Sequence, residues 1–232
     1  MSDPVFQRYA VYYTPPAGGW ADWATSWLGW DLVRGATLPH PKAGFDVRAV
    51  TTTPRRYGLH ATIKPPFRLA QGMERAGLEA ACVAFAQSAA PVRLDGLEVA
   101  RLGRFLALRP LGDDTALSAL AAATVEALDA FRAPASEAEL RRRRSARLSP
   151  AQDANLTRWG YPYVMGEFRF HITLTGRLET ALLDQVLDHL GTHLTPLLPN
   201  PFDIAELALV GEDEAEQFHL IRRYRLGAST DA

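Results

Sequence analysis

The sequence predicts an α+β protein of two pseudosymmetric lobes, each an antiparallel sheet with helices outside, and a cleft between them. Three observations predict it. The element order repeats: a strand carrying a His-x-Thr motif is followed by one helix and then by a β-hairpin, twice. The spacing repeats with it, 45 residues from His60 to Phe105 and 47 from His171 to Phe218. Hairpin-joined strands pair antiparallel, which separates this pattern from an alternating parallel fold. Letter-by-letter identity between the halves is low, so the duplication is one of order and spacing. It relates the two His-x-Thr strands by a pseudo-twofold axis, and residues 1–232 read as one bilobal domain.

The elements follow in order. Residues 6–13 are rich in aromatic and β-branched side chains and end at Pro15-Pro16, which marks a strand. Trp20, Trp23, Trp27 and Trp30 recur at spacings of 3, 4 and 3, one face of an amphipathic helix over 19–30. Residues 34–54 hold prolines, glycines and Thr51-Thr52-Thr53 and read as mostly loop, a candidate flap. A strand over 57–67 is stopped by Pro65-Pro66; a helix over 74–89 follows, then a hairpin of 92–100 and 104–108. Helices are expected over 114–131, 136–147 and 150–159. The second half runs strand 167–175, helix 179–194, and strands 202–210 and 217–225 joined through Gly211-Glu212-Asp213-Glu214.

Strand geometry sends residues i, i+2 and i+4 to one face. In the first motif strand Gly58, His60, Thr62 and Lys64 share a face, opposite Leu59, Ala61 and Ile63. In the second, Arg169, His171, Thr173 and Thr175 share a face, opposite Phe168, Phe170, Ile172 and Leu174. Facing each other across a cleft, these residues suit displacement at phosphorus. That chemistry needs a base for the attacking oxygen and an acid for the leaving oxygen, and histidine fills either role near neutral pH. The threonine hydroxyls can donate to the non-bridging oxygens, while Lys64 or Arg169 adds positive charge. No metal or other cofactor is required. His171 is assigned as the base and His60 as the acid, although pseudosymmetry makes the two interchangeable. Tyr57, Tyr161 and Tyr163 flank the motifs, where their rings can stack on a base or sugar or pack in the core.

Composition narrows the partners. The chain has 232 residues, 47% hydrophobic and 22% charged, with a net charge of −1, so no global field draws it to nucleic acid or an anionic membrane. Extended nucleic acid is therefore not the expected partner. A small phosphorylated substrate bound in a local pocket is, and the chain is expected to be a monomer. The one cysteine, Cys82, lies in an apolar helical run and fits a reducing compartment. Met1-Ser2-Asp3-Pro4 lacks the basic start and apolar stretch of a signal peptide, no run is long enough to span a bilayer, and a cytoplasmic location is expected.

The two motifs and their spacing resemble those of the two-histidine (2H) phosphoesterase superfamily, which has two lobes and one His-x-Thr from each. The string Arg56-Tyr57-Gly58-Leu59-His60-Ala61-Thr62-Ile63-Lys64-Pro65-Pro66-Phe67 is similar to the first signature of a branch encoded in bacterial phosphonate-degradation operons. Trp159-Gly160-Tyr161-Pro162-Tyr163-Val164 and Phe168-Arg169-Phe170-His171-Ile172-Thr173-Leu174-Thr175-Gly176 are similar to its second. The resemblance covers nearly the whole chain. It implies hydrolysis of a cyclic phosphodiester, such as a ribose cyclic phosphate formed when carbon–phosphorus bonds are broken. RNA ends bearing 2′,3′-cyclic phosphates and a non-catalytic phosphate-binding module are the alternatives.

Other polar residues read as structural. His189 and His193 stand four apart on a helix without the glutamate of a zincin motif or a third ligand. His219 aligns with Leu106 through the repeat and falls near the cleft, but reads as structural; His40 is unassigned. Arg141 to Arg144 form a basic helical run with Glu137 and Glu139 at pairing distance, a solvated face or else a polyphosphate or RNA contact.

Overall fold

The computed structural model describes residues 6–227, so the Met1–Pro4 reading lies outside the described residues. In chain order the first half contains β1 (Arg8–Tyr13), α1 (Gly19–Leu28), β2 (Trp30–Asp31), β3 (Ala36–Thr37), α2 (Val47–Val50), α3 (Thr52–Arg55), β4 (Ala61–Phe67), α4 (Arg75–Ser88), β5 (Val92–Leu94), β6 (Gly96–Leu102) and β7 (Phe105–Leu111). The rest is α5 (Thr115–Ala127), α6 (Glu137–Arg144), α7 (Pro150–Trp159), β8 (Ile172–Thr173), α8 (Thr180–His193), β9 (Phe202–Ile204), β10 (Glu206–Glu212) and β11 (Phe218–Arg225).

Seven strands form one antiparallel sheet in the order β11-β10-β1-β4-β8-β7-β6. The predicted duplication sits at its midline. There β4 and β8 pair antiparallel with Ala61 opposite Ile172, the central residues of the two His-x-Thr motifs. A second antiparallel pair, β5 with β9, centres on Arg93 opposite Asp203. Both pairings are what a twofold axis through these points demands.

The halves exchange their hairpins. The β6–β7 hairpin, which follows the first motif in sequence, pairs with β8; the β10–β11 hairpin, which follows the second, pairs with β1 beside β4. Helices cross in the same way: α4 packs on β10 and β11, and α8 on β6 and β7. Each lobe thus combines segments from both halves of the chain, and the two motif strands are held against each other by long-range pairings on either side.

The alternation of β1 separates two apolar layers. Tyr9, Val11 and Tyr13 enter the main core with α1, α4, α5 and α8, while Ala10 and Tyr12 join a smaller cluster with Trp30 and Phe218 on the opposite face. Trp27 anchors α1 to the second motif strand, its indole N–H donating to the Leu174 carbonyl at 2.9 Å.

Three sequence expectations are corrected and one is refined. Trp30 is not on the tryptophan helix, because Gly29 adopts a left-handed conformation (φ 79°), ends α1 and sends Trp30 into β2. The 34–54 stretch is mostly loop as expected, with β3, α2 and the start of α3 set within it. The helix expected over 114–131 ends at Ala127, with a separate 3-10 turn over Asp129–Phe131. The second motif strand is regular over Ile172–Thr173 alone. It ends there because the Thr175 hydroxyl accepts from the Leu106 N–H at 3.0 Å, substituting a side chain for a ladder bond. The expected helix of 150–159 is found as α7, begun by a Ser149–Gln152 capping box with Pro150 in the first turn.

Among the described residues no helix is long and apolar enough to cross a membrane.

Candidate active site

The antiparallel register around Ala61 and Ile172 carries each histidine opposite the threonine of the other motif: His60 faces Thr173, and Thr62 faces His171. Directly opposed positions hold their Cβ atoms about 4.5–5.5 Å apart, so the four side chains form one compact group.

Both imidazoles are aimed by the same local device. His60 Nδ1 lies 3.0 Å from the Gly58 carbonyl, and His171 Nδ1 lies 2.9 Å from the Arg169 carbonyl, each two residues upstream. A carbonyl only accepts, so Nδ1–H is the donor in each ring and Nε2 is left for a reactant. Gly58 makes this turn possible on the first strand. Its φ is 68°, and a Cβ there would meet the Leu32 side chain at 2.8 Å.

The surroundings of the two rings differ. His60 is 9% exposed and lies between aromatic rings, 4.2 Å from Tyr12 and 5.5 Å from Tyr57 between centroids. That burial disfavours the imidazolium and pulls its pKa down to about 4; the bond to Gly58 opposes the shift, and His171 adds to it. His171 is half-buried, its ring 6.1 Å from that of Phe105. The pseudosymmetry of the backbone is therefore broken by what packs on it.

Two adjoining cavities open on the group. The larger, about 840 Å³, is lined by His60, Thr62, Thr173, Tyr57 and Tyr161 together with Tyr12 and several arginines. The smaller, about 240 Å³, is lined by His171, Thr62, Arg169, Tyr161 and Tyr163. Thr62 and Tyr161 border both. Tyr57 stacks on Phe218 with centroids 5.3 Å apart and takes a hydrogen bond from Arg56. Arg169 is exposed, its guanidinium donating to the Gly166 and Phe168 carbonyls, and Tyr163 is an exposed rim residue.

Two of the expected substrate contacts do not reach the cleft. Lys64 is 2% exposed and points to the helical side, its Nζ donating to the Val125 carbonyl at 3.2 Å and standing 3.6 Å from Asp129 Oδ1. The cause is in the pairing of β1 with β4. Val11 pairs with Lys64, but the next residue, Tyr12, pairs with Thr62, so Ile63 is an extra residue in a bulge. The alternation that holds from His60 to Thr62 is inverted beyond it. Burial lowers the Lys64 pKa to about 8, opposed by Asp129. Lys64→Met is expected to lower stability by about 1–2 kcal/mol, because Asp129 keeps Arg132 as a partner and no charge is stranded. Chemical denaturation checks this, and kcat measured on the same variant should be unchanged. Thr175 is 1% exposed and spends its hydroxyl on Leu106 N–H and the Gly176 carbonyl, so it is a structural residue.

Sequence reasoning missed Tyr12, Arg8 and Arg56 in the larger cavity. Only the strand alternation of 6–13 hinted at Tyr12. The expected flap reaches the same cavity at Thr53 and Pro54, and of the arginine run Arg142 and Arg143 line it. His219 binds Asp213 at 2.8 Å and packs edge-on against Trp30. His40 holds the Trp27 carbonyl, and His189 stacks on Trp27. Cys82 is buried in α4, its thiol pushed up to about 12 by desolvation. Among the described residues no three His, Cys, Asp or Glu side chains come together as a metal site.

A duplicated antiparallel sheet thus brings one His-x-Thr from each half of the chain to its midline. The family model described as "Protein of unknown function (DUF1045)" matches residues 62–219, more than half of the chain, and the chain belongs to that family. Two curated relatives are each named ribose 1,5-bisphosphate phosphokinase PhnN. The protein from Janthinobacterium sp. (strain Marseille) is 38% identical over 195 residues, 80% of this chain and 42% of its own length. That from Laribacter hongkongensis (strain HLHK9) is 39% identical over 212 residues, 90% of this chain and 49% of its own length. The chain thus spans less than half of the curated relatives it matches. Among solved structures, Escherichia coli LigT in its apo form aligns at a TM-score of 0.45 and 15% identity over 98% of this chain and 100% of its own. TT0787 of Thermus thermophilus aligns at 0.45 and 16%, over 96% and 99%.

Proposed function

We propose that this chain is a metal-independent phosphodiesterase that hydrolyses a cyclic phosphodiester of a phosphorylated ribose. The observation that carries the reading is the paired geometry at the sheet midline, where each histidine stands opposite the threonine of the other motif and each Nδ1 is held by a backbone carbonyl, which leaves Nε2 for a reactant. His60, held neutral by burial, is the base and His171 the acid, the reverse of the order expected from sequence.

The step follows from these roles. Water attacks phosphorus as His60 Nε2 takes its proton, the ring P–O bond breaks, and the departing oxygen receives the proton on His171 Nε2. The product is a phosphomonoester with a free hydroxyl where the ring closed. Thr62 and Thr173 donate to the non-bridging oxygens, whose charge grows in the transition state. A cyclic ester suits a site with two opposed proton carriers, since attack and departure lie roughly in line.

The sugar is taken from the relatives, both named for a ribose bisphosphate. Their kinase activity is not carried over. The chain's two lysines, Lys42 and Lys64, follow Pro41 and Ile63, so it has no Gly-Lys phosphate loop of the G-x-x-x-x-G-K-[ST] kind.

The test is turnover of a panel of cyclic phosphates followed by phosphorus NMR. Side chains supply the base, the acid and the anion stabilisers, so dialysis against EDTA is expected to leave kcat/KM unchanged. A rate abolished by EDTA and restored by a divalent cation refutes metal independence, and a panel left wholly intact refutes the reaction.

A further inference from the structure

The larger cavity runs from His60 to α6; five arginines and five carboxylates line it, and they are unevenly paired. Arg8 pairs with Glu212 at 2.6 Å, Arg56 with Glu216 at 2.6 Å, Arg68 with Glu139 at 2.7 Å, and His219 with Asp213 at 2.8 Å. Arg142 and Arg143 line the same cavity with no carboxylate bound to either among the described residues. Their neighbour Arg144, outside the cavity, is the one that takes Asp153. Arg143 lies over the Tyr161 ring, 4.7 Å from its centroid, and Tyr161 borders both cavities. The fully buried Tyr12 borders this cavity too, and its hydroxyl has no hydrogen-bond partner among the described residues.

Resting on the cyclic-phosphodiester reading, we propose that this cavity holds a second phosphate: the substrate is a pentose cyclic phosphodiester with a phosphomonoester on its terminal carbon, bound by Arg142 and Arg143. Two adjacent guanidiniums match the charge of a phosphate dianion, and each can offer it a pair of N–H donors. Desolvation depresses the Arg143 pKa, so the cation is under-solvated there and an incoming anion relieves the deficit. Size agrees with this. A cavity of about 840 Å³ falls in the range that encloses a whole small-molecule ligand, well beyond what one cyclic phosphate fills.

Calorimetric binding of ribose 1,5-bisphosphate and ribose 1-phosphate, which lacks the terminal phosphate, compared across variants, tests the second site independently of turnover. Wild type is expected to bind the bisphosphate at least about tenfold more tightly, a preference of the size two charge-assisted contacts supply. R142A/R143A should abolish that preference. Arg142→Ala alone, at an exposed position whose loss cannot disturb Tyr161 packing, should weaken it. Arg144→Ala and His60→Ala should keep it. Equal affinities in wild type, or a preference that survives R142A/R143A, overturns the proposal. Turnover of a matched pair of cyclic substrates, with and without the terminal phosphate, separates the two readings. Consumption of both with equal KM removes the second site and leaves the phosphodiesterase standing. Consumption of neither removes the phosphodiesterase, and the binding preference alone then decides the second site.

Discussion

His60→Ala is expected to lower kcat by about 10²- to 10⁴-fold, the usual contribution of a positioned acid or base, and His171→Ala to do the same. KM should change little, because neither imidazole is needed to hold the ground-state substrate. The double variant should be little worse than either single one, since two groups that act in one step are not additive. The pH profile tells the two apart. A base must be unprotonated, so it sets the acidic limb; an acid must carry its proton, so it sets the alkaline limb. With His60 held near 4 in the free enzyme, the acidic limb of kcat/KM should lie well below the ordinary histidine range. His60→Ala should erase that limb and His171→Ala the alkaline one. Near-normal turnover by either variant would sink the paired assignment; exchanged limbs would restore His171 as the base.

Each His-x-Thr motif was legible in the sequence because what aims its own side chains is local. Each imidazole is set by a carbonyl two residues upstream, and each threonine follows by strand alternation. The duplication was legible for a similar reason, since order and spacing survive when letters do not. What failed was whatever depended on the partner strand. Lys64 belongs to the same period-2 pattern as His60, and only the register of β1 against β4 reveals the extra residue that turns it away. Thr175 shares a predicted face with His171, yet Leu106 on β7 offers its N–H to that hydroxyl. Tyr12 reaches the site across the β1–β4 pairing, far from His60 in sequence, and no motif marks it. The exchange of hairpins between halves is invisible to a linear reading, because both exchanged and unexchanged duplications have the same element order. The roles of base and acid were not legible, on the same ground. Pseudosymmetric strands look equivalent until the aromatic side chains packed on each are known.

Burial of His60 also makes stability depend on pH, in a direction that can be worked out. Unfolded, the imidazole titrates near 6.5; folded between Tyr12 and Tyr57 it titrates near 4. Between those values the unfolded chain binds a proton that the folded chain refuses, so stability is lost as pH falls from 6.5 to 4 and no further below it. At about 1.4 kcal/mol per pH unit, the loss approaches about 3 kcal/mol. For a chain of this size that corresponds to a fall in Tm of about 6–12 °C. Half-buried His189, also shifted downward by desolvation, adds a loss of the same sign, and the carboxylates shifted downward, Glu139 and Asp213 among them, act at lower pH. The slope of wild type alone is therefore not diagnostic, whereas the difference from His60→Gln is. That variant cannot titrate at position 60 and should show a visibly flatter decline in denaturation midpoint between pH 6.5 and 4. Identical slopes would mean that His60 takes up its proton as readily folded as unfolded. The ring would then be protonated over much of the range in which a base must be free, and the reason for giving it that role would be gone.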